Sequence, residues 1–370
     1  MARIRIFLVD DSLVVRKLLS DTLSADPALE VVGTAADGRI ALAKIPALKP
    51  DLVTLDVEMP VMDGLETLAA VRKLYPELPV IMFSTLTERG AAAALDALSL
   101  GASDYATKPS NTASPAVAME RIRSELIPKI KALCGAVALK IVPLVRPVPA
   151  VRHRTVLNPR IEIVAIGTST GGPNALAKVL PLIPKDFPAP IVVVQHMPPV
   201  FTRLLAERLD SQSEIAVQEG AAGTVLRAGH AYIATGNFHM TVARSGLQYR
   251  LELNQDPPEK SCRPAVDVLF RSVAAACGAS VLGVVMTGMG SDGVHGAEVI
   301  RKAGGEIIVQ DEASSVVWGM PGLVHASGQA DAIYPLDDLA PEITRRVLLN
   351  REPRAPFSSN HCISLEPRAK

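Results

Sequence analysis

The sequence has few cysteines, no net charge and no long apolar run. Only four of its 370 residues are cysteine, at widely separated positions and without a C-x-x-C pair. This pattern argues against a disulfide framework and against a zinc site, and it is typical of a protein from a reducing compartment. Hydrophobic residues still make up 48% of the chain, which is enough to bury sizeable cores.

The balance of charge excludes further classes of protein. Acidic and basic residues number 38 each, so no long-range field attracts nucleic acid or anionic lipid. We also find no basic recognition helix of the kind that a DNA-binding domain needs. No apolar stretch reaches the ~20 residues of a membrane-spanning helix, and the run before Asp10 is too short for a signal peptide. We therefore expect a cytoplasmic protein with no nucleic-acid partner and no membrane insertion.

A proline-containing segment separates two regions in which strand and helix patterns alternate. It holds four prolines and five basic residues, namely Pro143, Pro147, Pro149, Pro159, Arg146, Arg152, His153, Arg154 and Arg160. Such a segment cannot form a helix and is typical of a semi-rigid, solvated linker. We predict a first α/β domain over residues 1–122, a helix end and linker over 123–157, a second α/β domain over 158–350, and a disordered tail over 351–370.

In the second region, an apolar run leads directly into a glycine-flanked serine. Gly167, Ser169 and Gly171 fit the pattern G-x-S-x-G. This pattern is typical of a sharp strand-to-helix turn that exposes a serine hydroxyl at the edge of a sheet, within reach of a base. Further along, residues 230–253 are rich in strand formers, and Ser245-Gly246 predicts a hairpin turn there.

Two further apolar runs end in polar residues that suit a serine nucleophile. Residues 191–195 lead to His196, and residues 281–286 lead to a loop that contains Asp292. In a doubly wound sheet the carboxyl ends of such strands share one edge, so the three side chains are expected to meet there. Serine, histidine and aspartate then have the chemistry of a nucleophile, a base and a carboxylate that fixes the base.

Each of these residues also has a simpler interpretation. The glycines near Ser169 could cradle a phosphate, which would make the second domain a non-catalytic nucleotide-binding output module. However, Ser169 occupies a position where the G-x-G-x-x-G fingerprint needs glycine. His196 could bind a loop carbonyl, Asp292 is a natural N-cap for the helix pattern that follows it, and His295 competes for the role of base. We favour His196 because a strand-end position needs no helix face to turn toward the site.

In the first region, acidic residues follow two predicted strands. Asp10 and Asp11 follow the first, and Asp56 follows another. Because three carboxylates at adjacent strand ends repel one another, a divalent cation such as Mg²⁺ would stabilise the cluster. Ser84 and Lys108 follow two further strands and suit a phosphoryl oxygen. Together these groups predict an aspartyl-phosphate site, although Lys108 by itself would be an ordinary surface lysine.

Both regions resemble a known family. Asp10-Asp11-Ser12, the run 55–64 (LDVEMPVMDG), Ser84 and Lys108-Pro109 resemble a response-regulator receiver domain. The second region is similar to the catalytic domain of chemotaxis protein-glutamate methylesterases, in the runs 167–172 (GTSTGG), 195–198 (QHMP), 287–293 (TGMGSDG) and 318–321 (WGMP). The resemblance covers roughly residues 3–348. It implies a flavodoxin-like receiver followed by a doubly wound, mostly parallel α/β catalytic domain with a β-hairpin-rich insertion.

The resemblance also implies an activity and its partners. The substrate would be a glutamate γ-methyl ester on methyl-accepting chemotaxis receptors, hydrolysed to glutamate and methanol, with glutamine deamidation as a second activity. A chemotaxis histidine kinase would be the phosphodonor. The esterase itself would need no cofactor, whereas phosphorylation of the receiver would need Mg²⁺.

Roles for individual residues follow from the same resemblance. Ser169, His196 and Asp292 would form a catalytic triad, and the backbone N–H of Met289 would bind the oxyanion. Asp56 would accept the phosphoryl group, with Asp10, Asp11 and Asp56 as metal ligands. Lys108 and Ser84 would hold the phosphate, and Tyr105 would move with Ser84 to alter the face that the receiver presents to the catalytic domain.

The sequence departs from the family pattern at two places. Members of the family often have a histidine and a serine where this chain has Cys262 and Ala265. We expect this change to affect the rim of the active site. The tail after Asn350 also extends no pattern of the family.

Overall fold

The computed structural model describes residues 2–108, 114–135 and 160–349. The prolines of the predicted linker and the predicted disordered tail lie outside these described residues, as does Pro109. Within the described ranges, no helix combines the length and the apolar character that a membrane crossing requires.

The N-terminal domain is built on a parallel sheet of five described strands. They are β1 (Ile4–Val9), β2 (Leu29–Ala35), β3 (Leu52–Asp56), β4 (Val80–Ser84) and β5 (Asp104–Thr107), in the spatial order β2-β1-β3-β4-β5. The helices are α1 (Leu13–Ser24), α2 (Gly38–Leu48), α3 (Gly64–Leu74), α4 (Glu88–Ser99), α5 (Pro115–Arg121) and α6 (Ile127–Leu133). A π-helical segment, Ile122–Leu126, joins the last two.

The apolar strands of this domain are buried on both faces, as expected for a parallel sheet between two layers of helices. In β1, Phe7 and Val9 pack in one core cluster and Ile6 and Leu8 pack in another. The helical segment continues beyond residue 122, where Leu126, Ile127 and Ile130 add to the second cluster. Local signals fix the helix starts: at α3, for example, Asp63 and Glu66 form a reciprocal capping box.

The C-terminal domain is built on a parallel sheet of seven described strands. They are β6 (Ile163–Thr168), β7 (Ile191–Gln195), β8 (Ala216–Glu219), β9 (His230–Ile233), β12 (Val281–Val285), β13 (Glu306–Gln310) and β14 (Ala332–Tyr334), in the order β14-β13-β12-β6-β7-β9-β8. An antiparallel hairpin of β10 (His239–Ser245) and β11 (Gln248–Asn254) is inserted after β9. The helices are α7 (Gly172–Val179), α8 (Phe201–Gln212), α9 (Val266–Cys277), α10 (Val294–Lys302), α11 (Met320–Ala326) and α12 (Leu336–Leu348).

This strand order confirms the predicted meeting of three strand ends. Strand β6 lies between β7 and β12 and runs parallel to both, so residues after these three strands emerge at one edge of the sheet. The predicted hairpin is also present, with its turn between Ser245 and Gln248. Both domains therefore have the predicted α/β architecture.

Helix α4 of the N-terminal domain packs against α7 and α8 of the C-terminal domain. The rings of Tyr105 and Phe201 stack across this contact with centroids 4.6 Å apart. Three polar contacts accompany the stack: Asn174 Nδ2 to the Leu98 carbonyl oxygen at 2.9 Å, Arg203 to Glu88 at 2.7 Å, and Arg208 to Asp96 at 2.8 Å. The N-terminal domain thus contacts the helices that begin shortly after Ser169 and His196.

Candidate active site

Ser169 lies at the turn between β6 and α7, and its two flanking glycines are needed for different reasons. A Cβ atom at Gly167 would lie 2.4 Å from a methyl carbon of Val266, so the strand end could not pack against α9. Gly171 has a φ of +78°, which a residue with a side chain adopts only with strain. The Ser169 hydroxyl is partly exposed and, among the described residues, makes no hydrogen bond.

Thr287, at the end of β12, fixes this turn through buried hydrogen bonds. Its carbonyl oxygen accepts from the Thr168 hydroxyl at 2.9 Å and from the Ser169 N–H at 3.0 Å. Its own hydroxyl donates to the Thr170 carbonyl oxygen at 2.9 Å. Our sequence reasoning assigned Thr287 no role of its own, because its contacts depend on β12 lying beside β6.

His196 and Asp292 meet at the same edge of the sheet. His196 follows β7, and its Nε2 lies 2.7 Å from Asp292 Oδ2. The backbone N–H of His196 donates to the Thr168 carbonyl oxygen at 3.2 Å, which ties the base to the residue before Ser169. The structure therefore pairs the predicted base with the predicted carboxylate next to the serine turn. A serine–histidine hydrogen bond often forms only when substrate is bound.

Asp292 is also a helix cap, but for a different helix from the predicted one. Helix α10, which follows it in sequence, has Gly293 at its N-cap. The Asp292 carboxylate instead accepts from the N–H groups of Val266 at 2.6 Å and Asp267 at 2.9 Å, at the start of α9. Burial raises the pKa of Asp292, but the contacts with His196 and with these N–H groups outweigh burial and lower it overall.

The two residues that differ from the family pattern in this region, Cys262 and Ala265, both lie at this cluster. Ala265 is the N-cap residue of α9 and offers no side-chain acceptor, so the Asp292 carboxylate supplies the cap. The Cys262 thiol lies 3.6 Å from Nδ1 of His196, the ring nitrogen that does not contact Asp292. That nitrogen is the one that would take a proton from serine, so Cys262 competes with Ser169 for it.

Burial and two neighbours act on the pKa of His196 in opposite directions. Burial lowers it, whereas Cys262 and Asp292 raise it, and the net effect raises the pKa from 6.5 to about 10. The competing base His295 has a different environment. Its side chain is 58% exposed on α10 and lies 3.5 Å from Glu298 of the same helix, with no other ion pair or hydrogen bond among the described residues.

Met289 lies in a loop that runs beside the serine. A Cβ atom at the preceding Gly288 would be 2.9 Å from the Ser169 Cβ. The backbone N–H of Met289 donates no hydrogen bond within the described part of the chain. The N–H groups of Gly319 and Met320 both donate to the Gly288 carbonyl oxygen, at 3.1 and 2.8 Å, so the run WGMP holds this loop in place.

The N-terminal domain has a second candidate site, at the carboxyl ends of β1, β3 and β5. Oxygen atoms of Asp10, Asp11 and Asp56 lie within 4.8 Å of one another. Lys108 Nζ lies 2.8 Å from Asp10 Oδ2 and 2.7 Å from Asp56 Oδ2. Burial raises the pKa of Asp56 to about 6, although Lys108 opposes this. A compact set of hard oxygen donors fits the predicted Mg²⁺.

Ser84 ends β4, the strand next to the one that ends at Asp56, and Tyr105 lies on β5, one strand further along the sheet. The Ser84 hydroxyl donates to the Gly90 carbonyl oxygen in α4 at 2.7 Å. Tyr105 is buried, and Lys129 Nζ donates to its carbonyl oxygen at 2.6 Å and lies 4.8 Å from its ring centroid. Ser84, which lies next to the predicted phosphate site, therefore contacts α4. Tyr105 contacts Phe201 of the other domain.

Comparison with known proteins identifies relatives of both domains. Residues 164–343 match the family model described as CheB methylesterase, and residues 6–118 match that of the response regulator receiver domain. Over 351 residues the chain is 55% identical to the protein-glutamate methylesterase/protein-glutamine glutaminase of Trichodesmium erythraeum, covering 94% of this chain and all of that one. The protein of the same name from Nocardioides sp. is 50% identical over 362 residues, covering 96% and 99% of the two chains.

A solved structure is similar to the second domain. The crystal structure of the Thermotoga maritima CheB methylesterase catalytic domain is 41% identical in sequence, covers 50% of this chain and 97% of its own, and has a TM-score of 0.49. Neither the family models nor these relatives support the nucleotide-binding alternative.

The contact between Cys262 and His196 predicts a change in the pH dependence of activity. A general base must be neutral, so activity should rise with pH as His196 loses its proton. Because Cys262 raises the pKa of His196, Cys262→Ala should move this rise in activity to lower pH. The pH profile of kcat/KM measures the shift.

Cys277 offers a matched control, since its thiol is also partly buried but lies near the start of β12, away from His196. Cys277→Ala should leave the profile in place. A Cys262→Ala profile equal to that of the unmodified protein would show that the thiol does not act on the base.

Proposed function

The chain belongs to the family of response-regulator protein-glutamate methylesterases/protein-glutamine glutaminases, and from this premise we propose that Ser169, His196 and Asp292 perform its ester hydrolysis. The observation that supports this assignment most directly is the 2.7 Å hydrogen bond between His196 and Asp292. Both residues follow strands next to the one that ends at Ser169. The substrate would be a glutamate γ-methyl ester in a methyl-accepting chemotaxis receptor, and the protein would act in the cytoplasm.

In the proposed mechanism each group performs one step. Neutral His196 takes the proton of the Ser169 hydroxyl as the oxygen attacks the ester carbonyl. Asp292 holds the ring and stabilises the imidazolium that forms. The backbone N–H of Met289, which has no other partner among the described residues, donates to the oxyanion. The imidazolium then protonates the departing methoxide oxygen, which leaves as methanol, and water repeats the sequence on the glutamyl-serine ester.

We infer that the receiver is phosphorylated on Asp56 by a chemotaxis histidine kinase. Asp10, Asp11 and Asp56 would hold Mg²⁺, which when bound neutralises charge on the phosphoryl oxygens. Lys108 already contacts two of these carboxylates, and its ammonium group would bind the phosphate. Ser84 would exchange its bond with α4 for a phosphate oxygen, and Tyr105 would follow it.

We propose that the unphosphorylated receiver restrains the esterase. Helix α4 contacts α7 and α8, which begin just after the nucleophile and just after the base. A bulky helical substrate has to approach this edge of the sheet. Movement of Ser84 and Tyr105 would act directly on α4 and on the Tyr105–Phe201 stack, so phosphorylation would weaken the contact and open the site.

Substitution of the nucleophile tests the catalytic assignment. Ser169→Ala should abolish methanol release from methyl-labelled receptor membranes while the protein stays folded, because alanine fits the turn but cannot form the covalent ester. In other triad enzymes, removal of the nucleophile leaves a rate only about 10³–10⁴-fold above that of the uncatalysed reaction in water.

The same assay distinguishes the two candidate bases. His196→Ala should lose as much activity as Ser169→Ala, and substitution of the exposed His295 by alanine should not. Wild-type methanol release by folded Ser169→Ala would exclude the assignment, and the reverse order of the two histidines would make His295 the base.

A charge reversal at the domain contact tests the restraint. Arg208 contacts Asp96 across the interface at 2.8 Å. Arg208→Asp should raise the basal esterase activity of the unphosphorylated protein by about two- to fivefold, because like charges then face each other. The assay is methanol release with and without a small-molecule phosphodonor.

The swapped protein, with Arg208→Asp and Asp96→Arg together, is the matched control and should return to low basal activity. The basal esterase activity of Asp56→Ala should stay low and should not respond to the phosphodonor. If the reversal leaves basal activity unchanged, or if the swap fails to restore it, this contact does not restrain the enzyme.

A further inference from the structure

We propose that Asp267 is a positioning residue that, together with Lys260, holds the catalytic carboxylate of Asp292 against His196. This inference rests on the proposed roles of His196 and Asp292. Asp267 does not touch His196 or Ser169, and its influence on the reaction would pass through the loop that contains Asp292.

Asp267 and Asp292 cap each other's helices. Asp292 accepts from two N–H groups at the start of α9, one of which belongs to Asp267 itself. In return, Asp267 Oδ1 accepts from the N–H groups of Gly293 at 3.0 Å and Gly296 at 2.6 Å, at the start of α10. Each carboxylate thus lies at the positive end of the other's helix, so neither helix can shift without breaking both caps.

Lys260 lies on the solvent side of Asp267 and contacts both Asp267 and the backbone at Ser291. Its Nζ lies 2.9 Å from Asp267 Oδ2 and donates to the Ser291 carbonyl oxygen at 2.7 Å. The backbone on both sides of Asp292 is therefore bound, at Ser291 by Lys260 and at Gly293 by Asp267. The Asp267 carboxylate is fully buried, and Lys260 offsets the cost of placing a second negative charge close to Asp292.

The consequence for catalysis is geometric. Asp292 has to keep one oxygen at 2.7 Å from His196, and a misplacement of about 1 Å can cost about 10²-fold in rate. Without Asp267, the N–H groups of Gly293 and Gly296 lose their shared acceptor, and the loop between Ser291 and Gly293 is free to move. We expect kcat to fall while KM changes little, because Asp267 is buried and would act on the reaction only through the position of Asp292.

The experiment compares three variants of the full chain: Asp267→Ala, Lys260→Met and Asp331→Ala. We expect kcat for methanol release to fall about 10²-fold in Asp267→Ala and about tenfold in Lys260→Met. Asp331 is the control, since it also accepts a hydrogen bond from a backbone N–H and pairs with an arginine. Its contacts lie at the start of β13, on the opposite edge of the sheet from His196. Asp331→Ala should leave kcat within about twofold of the unmodified protein.

Titration of the His196 ring by NMR separates positioning from other effects and needs no esterase activity. The titratable groups that face the ring are Asp292 and Cys262, and those around Asp292 are Asp267, Lys260, Glu259 and Arg271. Loss of the Lys260 charge alone would raise the pKa of His196, because a nearby cation would be gone. Loss of positioning would lower it, because Asp292 would move away.

We therefore expect a lower His196 pKa in Lys260→Met, together with the lower kcat. An unchanged or raised pKa, or an unchanged kcat, would overturn the proposal even if Asp267→Ala did not fold. If the unmodified protein released no methanol, the proposed function would fail, while the titration would still decide whether Asp267 and Lys260 position Asp292.

Discussion

The geometry of the candidate active site in the C-terminal domain depends on the hydrogen bonds that the Asp292 carboxylate accepts. This carboxylate accepts hydrogen bonds from His196 and from two backbone N–H groups at the start of α9. These donors come from different parts of the chain, and one buried side chain brings them together. In the proposed mechanism, the negative charge that orients the base is the same charge that caps a helix, so fold stability and catalytic geometry would share one group.

In both domains, positively charged or hydrogen-bond-donating groups offset buried carboxylates near the carboxyl ends of parallel strands. In the C-terminal domain, helix N-termini, His196 and Lys260 offset the charges of Asp292 and Asp267. In the N-terminal domain, Lys108 lies between two carboxylates at a site that fits Mg²⁺. The contact of α4 with α7 and α8 joins the two candidate sites, because it links a helix beside the proposed phosphate site to helices that begin at the proposed catalytic edge.

The sequence was sufficient to predict the strands that carry the site residues, the sheet edge at which these strands end and the residues that meet there. Parallel strands place their ends together, so Ser169, His196 and Asp292 could be grouped without knowing the strand order. The roles of Asp267 and Thr287 could not be predicted. Their partners are distant in sequence, and the run 287–293, which begins at Thr287, does not indicate which groups Thr287 contacts. For the same reason, Asp292 was expected to cap the helix that follows it, whereas the structure shows it capping α9.

The most direct test of this dual role is Asp292→Asn, with activity and thermal stability measured on the same protein. Asparagine caps a helix about as well as aspartate, but it keeps only one of the two oxygens that accept from Val266 and Asp267, so the melting temperature should fall while the protein stays folded. The amide cannot stabilise the imidazolium and favours the wrong tautomer of His196, so kcat should fall by up to about 10⁴-fold. Nearly unchanged turnover in the folded variant would contradict the account, because Asp292 would then be a helix cap alone.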